Sequence, residues 1–214
     1  MLSNRQINAL LMSSLLCTAL MAGRIYMTQN MTYVFLGWNL FLAWIPIYFA
    51  ARLKNHVLNN KFKYWKYTLL YLLWLLFFPN SPYIITDLIH IQGNHNSINW
   101  YDSLLIFSFA FTGLSTGLLS LHWIQQASSR AFNNVIGWVI TITSSLLAGF
   151  GVYAGRMLRW NSWDLFTNPM SLLQEAIAQV HNHTAQSMTL AFGLFILSIY
   201  IVSFHISKSP QHHE

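Results

Sequence analysis

Apolar residues recur along this chain in six long runs, which short polar stretches separate. Each run holds about 20 residues with few charges, the length that an α-helix needs to cross the hydrocarbon core of a bilayer. The pattern therefore predicts an all-α fold, a polytopic transmembrane helix bundle with about six spans. The predicted spans are residues 7–27, 31–52, 66–88, 101–124, 133–155 and 187–207.

No stretch rich in glycine, serine or proline divides these spans, so we expect residues 1–214 to form a single integral-membrane domain. The first run follows Arg5 and resembles a signal peptide. Because five further spans come after it, we interpret it as an uncleaved first helix.

A short amphipathic pattern precedes the last predicted span. Asn168 is predicted to cap this segment and Pro169 to begin it. We expect the resulting helix to lie flat on the membrane surface. Its predicted apolar face consists of Leu172, Leu173, Ala176, Ile177 and Val180.

Composition favours a membrane protein and argues against a nucleic-acid-binding protein. Only 7% of the 214 residues are charged and 55% are apolar, whereas an average soluble domain is about 25% charged. The net charge is +6, but the basic residues collect beside the spans rather than in one patch. The single cysteine, Cys17, excludes an internal disulfide and a multi-cysteine metal site.

The distribution of lysine and arginine predicts the orientation. Eight of the eleven basic residues lie on the side that carries both termini, so both termini should be cytoplasmic and the protein should lie in the plasma membrane. The three basic residues on the outer side are Arg24, Arg156 and Arg159, and the acids there are Asp87, Asp102, Asp164 and Glu175.

The third apolar run is broken by the sequence PNSP at residues 79–82. Only 12 residues separate Lys66 from Pro79. They form roughly 18 Å of helix, which is less than the roughly 30 Å thickness of the hydrocarbon core. Irregular backbone at that depth is tolerated only inside protein or beside a water-filled cavity. We expect Asn80 or Ser81 to cap a new helical segment after the break.

In that predicted segment, Tyr83, Asp87 and His90 share one face and form a polar stripe. A proline kink whose polar residues only satisfy one another explains the same pattern, and both interpretations stay open. Asp87 and His90 also have the spacing of a metal-binding pair, with Asp102 as a third ligand. This metal signal is weak, and we expect no resident metal or cofactor.

The fourth and fifth spans both carry stripes of small residues that include a GxxxG pattern. Such stripes let helices approach closely in lipid, so we expect the two faces to meet. Asp102 and Arg159 lie on the same faces at the outer ends, so this packing would pair them in a salt bridge. The glycines concerned are Gly113 and Gly117 in the fourth span and Gly151 and Gly155 in the fifth.

Four sequence elements together resemble a family of bacterial multi-pass membrane proteins known as domain of unknown function 1361. These elements are NLFLAWIP (39–46), FPNSPYIITDLIH (78–90), WYD (100–102) and GRMLRWNSWD (155–164). The resemblance covers nearly the whole chain and implies a membrane location but no activity. The family pattern includes Asn80, Pro82, Tyr83, Asp87, His90, Asp102, Arg156, Arg159 and Asn161.

Three functions fit these residues. The first is an outward-facing polar pocket that binds or transports a small polar or anionic ligand or a lipid headgroup, because intramembrane ionisable residues usually have a function. The alternative is an enzyme at the outer leaflet, with Asp87 or His90 as general base and the arginines holding an anion, although no recognised catalytic motif is present. The third is a structural subunit, partnered by a second copy or another membrane protein. The candidate ligand-binding residues are Asn80, Tyr83, Asp87, His90, Asp102, Arg156, Arg159 and Asn161.

Overall fold

The computed structural model describes residues 4–58, 63–92, 99–160, 162, 164–167 and 169–208. Every regular element in these ranges is helical. Six helices are long and apolar enough to cross a membrane, which confirms the all-α class and the six spans. The six are Arg5–Thr28, Phe35–Leu58, Tyr64–Ile89, Trp100–Ala131, Asn134–Leu158 and His183–His205.

The described α-helices are α1 (Asn4–Thr28), α2 (Phe35–Leu58), α3 (Tyr64–Phe77), α4 (Asn80–Tyr83), α5 (Asn99–Ala131), α6 (Asn134–Tyr153), α7 (Asp164–Thr167), α8 (Pro169–Ala178) and α9 (His183–Lys208). Three segments have other helical geometries. A 3₁₀-helix (Ile84–Gln92) follows α4, a π-helix (Ala154–Leu158) follows α6, and a short 3₁₀-helix (Gln179–His181) follows α8.

The chain divides into two compact units at Ser120, within α5. In the first unit, α2 packs against α3 and α4. Its core combines side chains from α1, α2, the 3₁₀-helix after α4, and α5. The buried residues of this core are Cys17, Tyr33, Leu36, Leu40, Ala43, Ile84, Leu105, Ile106, Phe109 and Ala110.

The predicted break in the third span is confirmed. α3 ends at Phe77 after 14 residues, which is roughly 21 Å of helix, and Pro79 follows before α4. After α4 the chain continues as a 3₁₀-helix of nine residues rather than as an α-helix. Runs of 3₁₀-helix longer than 3–4 residues are uncommon and often mark a hinge or a strained sequence.

The predicted helix cap at Asn80 or Ser81 is wrong, because the residue before α4 is Pro79. Instead, the Asn80 side-chain amide donates a hydrogen bond to the carbonyl of Phe77 at 2.9 Å. The Ser81 hydroxyl donates to the carbonyl of Ala43 in α2 at 3.2 Å. Both side chains therefore satisfy carbonyl groups near irregular backbone, as a water-poor interior requires.

The prediction for the glycines of α5 is also wrong, because Gly113 and Gly117 face the broken third span. A Cβ on Gly113 would lie 2.5 Å from Cδ1 of Ile84. A Cβ on Gly117 would lie 2.7 Å from Cβ of Ser81. The small-residue face of α5 is thus the surface on which the break packs, within the first unit.

In the second unit, α6 packs against α9. Gly149 of α6 lies so close to α9 that a Cβ there would clash with the carbonyl oxygen of Thr189 and lie 2.8 Å from the amide nitrogen of Gly193. Trp138 and Phe204 extend the contact, with ring centroids 5.2 Å apart. Small residues thus set a close helix approach in this unit too.

The short helix before the last span is confirmed. α8 begins at Pro169 and none of its residues is buried. Leu173 and Ile177, from the predicted apolar face, are exposed. The predicted cap, Asn168, lies outside the described residues.

Gly149→Ala should lower the free energy of unfolding by about 1–3 kcal/mol, the usual cost of overpacking a tight contact. The added methyl group would meet backbone atoms of α9, which cannot rotate away. Thermal melts in detergent measure the effect.

Gly37→Ala is the matched control. A Cβ there would lie 3.5 Å from the flexible end of Met21, so this change should be neutral or stabilising through helix propensity. Equal destabilisation of the two variants would contradict the close approach of α6 and α9.

Candidate functional site

A buried ion pair lies at one end of the first unit. Arg24, near the end of α1, donates from Nε to Oδ1 of Asp102 at 2.9 Å and from Nη2 to Oδ2 at 3.4 Å. Asp102 is in the first turn of α5, and both side chains are only 1% exposed. A paired, two-point contact of this kind is the strong form of an arginine–carboxylate hydrogen bond.

The other nitrogen of the Arg24 guanidinium is also bound. Its Nη1 donates to the Thr28 hydroxyl at 3.0 Å and to the carbonyl of Asn30 at 3.3 Å. The guanidinium carbon lies 4.7 Å from the centre of the Tyr33 ring, a cation–π contact. Arg24 therefore connects the end of α1, the loop that follows it and the beginning of α5.

The predicted pairing of Asp102 with Arg159 is wrong, because the carboxylate is bound by Arg24. The prediction assumed that the glycine face of α5 meets α6, whereas that face holds the break. Arg24 was placed on the outer side by sequence but was not assigned to the site. A single arginine within the end of an apolar run was the signal that could have identified it.

Asp87 is the second buried acid in this unit, at 1% exposure. Its Oδ2 accepts a hydrogen bond from Nδ2 of Asn39 in α2 at 2.9 Å. Residues three apart align in a 3₁₀-helix, so Asp87 follows the buried Ile84 on the inward side. The prediction that Tyr83 and Asp87 share one face is therefore wrong, since a spacing of four aligns residues only in an α-helix.

The remaining candidates of this unit have local or undescribed contacts. Asn80 bonds to the carbonyl of Phe77, and the half-buried Tyr83 accepts at its own carbonyl from the Thr86 hydroxyl at 2.7 Å. The side chain of His90 lies outside the described residues. No group of three or more His, Cys, Asp or Glu side chains within the described ranges could hold a metal ion.

In the second unit, Arg156 and Arg159 lie where α6 ends. Arg156 belongs to the π-helix, and Arg159 follows it with φ 59° and ψ 32°, a left-handed conformation. This conformation costs a residue with a side chain roughly 1–2 kcal/mol, and glycine is the usual residue there. Short π-helical segments also occur frequently at functional sites.

Trp160 connects this corner to α8. Its backbone amide donates to the carbonyl of Ala154 at 3.2 Å, and the backbone amide of Arg159 donates to the same carbonyl. Its Nε1 donates to a carboxylate oxygen of Glu175 in α8 at 2.8 Å. A second bond joins Tyr153 to Gln179 just beyond α8, at 2.8 Å. The last candidate, Asn161, lies outside the described residues.

A comparison with protein families gives one match, to the model described as protein of unknown function (DUF1361), over residues 38–199. The chain belongs to this family. The match runs from α2 into α9 and includes Asp87, Asp102, Arg156 and Arg159, which confirms the resemblance found in the sequence. No curated protein and no solved structure matches the chain. The partner of Asp102, Arg24, precedes the part that matches DUF1361.

The ion pair of this DUF1361 member can be tested with a double-mutant cycle. Arg24→Gln and Asp102→Asn should each lower the free energy of unfolding by about 3–5 kcal/mol, because each leaves a buried charge without its partner. The double variant should lose less than the sum of the two, with a coupling of roughly 0.5–3 kcal/mol. Strictly additive losses in thermal or denaturant unfolding would contradict the pairing.

Proposed function

We propose that this protein binds an anionic group, a phosphate or a lipid headgroup, through Arg159 and Arg156 at the end of α6. Holding such a ligand at a membrane surface is the common element of a binding protein and of a transporter. The observation that carries the proposal is the exposed Arg159 in a left-handed backbone conformation.

Backbone energetics alone do not favour arginine at this position. Glycine adopts left-handed angles at no steric cost, so an arginine held there indicates that its side chain is needed. Among the described acids, none forms an ion pair with Arg159. Because Arg159 is also exposed, an external anion has access to it.

Arginine suits phosphate because its planar group offers parallel N–H donors that match two phosphate oxygens. Arg156, three residues earlier, adds a second positive charge close to the membrane end of α6. Two arginines at the end of a span also match the headgroup level of a bilayer, where anionic lipids are found.

The two buried acids, Asp102 and Asp87, have roles other than binding the anion. Asp102 is bound by Arg24, which supports a structural role for that pair and is the observation that favours a structural subunit as the second candidate. Within the first unit, Asp87 stays a candidate ligand-binding residue, because it is a buried carboxylate on an unusual 3₁₀-helix. A single pocket that combines all eight candidates, within one domain of residues 1–214, stays a prediction.

Substitutions of Arg159 separate binding from stability. Arg159→Gly should leave stability unchanged or slightly raised, because relief of roughly 1–2 kcal/mol of backbone strain is offset by roughly 0.5–1 kcal/mol of glycine entropy. The same change should weaken anion binding about ten- to hundredfold, since it removes charge-assisted hydrogen bonds. Inorganic phosphate titrated calorimetrically and phosphatidylglycerol retention in native mass spectrometry are the two readouts.

Two further variants serve as controls for this experiment. Arg159→Lys should keep part of the binding, and Arg159→Ala should lose binding while keeping the backbone strain, so it should melt below Arg159→Gly. Undiminished binding of both probes by Arg159→Gly would overturn the proposal.

We also propose that the protein lies in a bacterial plasma membrane with both termini in the cytoplasm, which would place Arg159 and α8 outside. Eight of the eleven basic residues lie on the side that carries both termini, which supports this orientation. A reporter enzyme that is active only in the cytoplasm should be active at the C-terminus and inactive when inserted between α8 and α9. The reverse result would contradict the orientation.

A further inference from the structure

α8 presents an apolar stripe that no other described part of the second unit covers. The stripe consists of Met170, Leu173 and Ile177, which are 68%, 57% and 62% exposed. Their spacing of three and four residues places them on one side of α8. Val180, in the short 3₁₀-helix that follows, is 58% exposed and extends the apolar surface.

The side chains on the neighbouring face hold α8 in position. Glu175 accepts a hydrogen bond from Trp160, and Gln179 accepts one from Tyr153 at the end of α6. Leu172 and Ala176 on this face are partly buried. These two hydrogen bonds hold the neighbouring face against the protein, so the apolar stripe faces outward. One of the two bonds comes from Trp160, the residue next to Arg159.

The position of α8 between two spans indicates what covers the stripe. α6 with its π-helix ends at Leu158 and α9 begins at His183, and both are long and apolar enough to cross a membrane. A helix that connects the same ends of two spans lies at the level where they leave the bilayer. An apolar stripe at that level enters the boundary between headgroups and acyl chains.

The segment that contains α8 has no positive charge, so the anionic group of a lipid on α8 must be bound by residues outside this segment. Residues 160–207 contain no lysine or arginine, so α8 itself offers no cation to a phosphate. Arg159 and Arg156, just before this segment, supply the positive charges. The apolar stripe and the two arginines are thus adjacent along the chain, and the bond from Trp160 to Glu175 joins the two segments.

We propose that the anion bound at Arg159 is the phosphate of a phospholipid, and that the acyl chains of this lipid lie against the apolar stripe of α8. This inference rests on the proposed function and names the ligand class for the same site. The ligand is a lipid rather than a free phosphate, because a free phosphate has no apolar part that could contact the stripe.

The test compares two probes, phosphatidylglycerol and inorganic phosphate, on the purified full-length chain in detergent. Leu173→Ser combined with Ile177→Ser should reduce phosphatidylglycerol retention roughly tenfold or more and leave phosphate binding unchanged. The matched control is Gln174→Ser combined with Ala178→Ser, which changes exposed residues outside the stripe and should affect neither probe. Arg159→Gly should weaken both.

These outcomes separate the two proposals. If the stripe variant retains phosphatidylglycerol like the parent while Arg159→Gly loses both probes, the role of α8 is overturned and anion binding stands. If Arg159→Gly binds both probes like the parent, both proposals are overturned. Binding of phosphate without retention of phosphatidylglycerol by the parent would overturn the lipid assignment alone.

A second measurement checks the stripe without relying on binding. Nitroxide labels at positions 173, 177 and 174, in a Cys17→Ser background in nanodiscs, report contact with lipid. Labels at 173 and 177 should be accessible to oxygen, whereas the label at 174 should be accessible to a polar nickel chelate. Equal nickel accessibility at all three positions would overturn the membrane contact of α8.

Discussion

A bilayer core contains no water to hydrogen-bond with polar groups, so each polar group that lies in that core must find a partner within the protein. The first unit contains several such pairs. Trp74 donates from its indole to the Ser120 hydroxyl at 3.1 Å, Ser81 donates to the carbonyl of Ala43, and Arg24 is bound by Asp102. In the second unit, Tyr200 donates to Gln125 at 2.6 Å.

The same constraint explains the break in the third span. A proline-disrupted backbone is stable in a membrane only when neighbouring helices satisfy and shield it. The glycines of α5 make room for this, because Gly113 and Gly117 let Ile84 and Ser81 approach the helix backbone. The break thereby allows the chain to direct Asp87 inward, where Asn39 binds it.

The constraint also separates the charged groups by their environment. Arg24 and Asp102 are closed to solvent and bind one another, so their main effect is on stability. Arg159 is exposed and held in an unfavourable backbone conformation, which fits a residue retained for a ligand.

Sequence reasoning identified the spans, the break and α8 because length and hydrophobic periodicity are local properties of the chain. It missed the partner of Asp102 because the choice of partner depends on which helix faces meet. It also assumed α-helical spacing after Pro82, so it aligned Asp87 with Tyr83 instead of Ile84. The left-handed backbone of Arg159 had no signal in the sequence, since glycine is the residue expected there.

We propose that Arg159, which is exposed, and Arg156, which is half-buried, bind the ligand in the second unit, while the buried pair of the first unit only stabilises the fold. A density map of the protein in nanodiscs that contain phosphatidylglycerol tests this most directly. We expect phosphate density at about 3 Å from the guanidinium of Arg159 and a dry, directly bonded Arg24–Asp102 pair. Ligand density between Arg24 and Asp102, with none at Arg159, would contradict it.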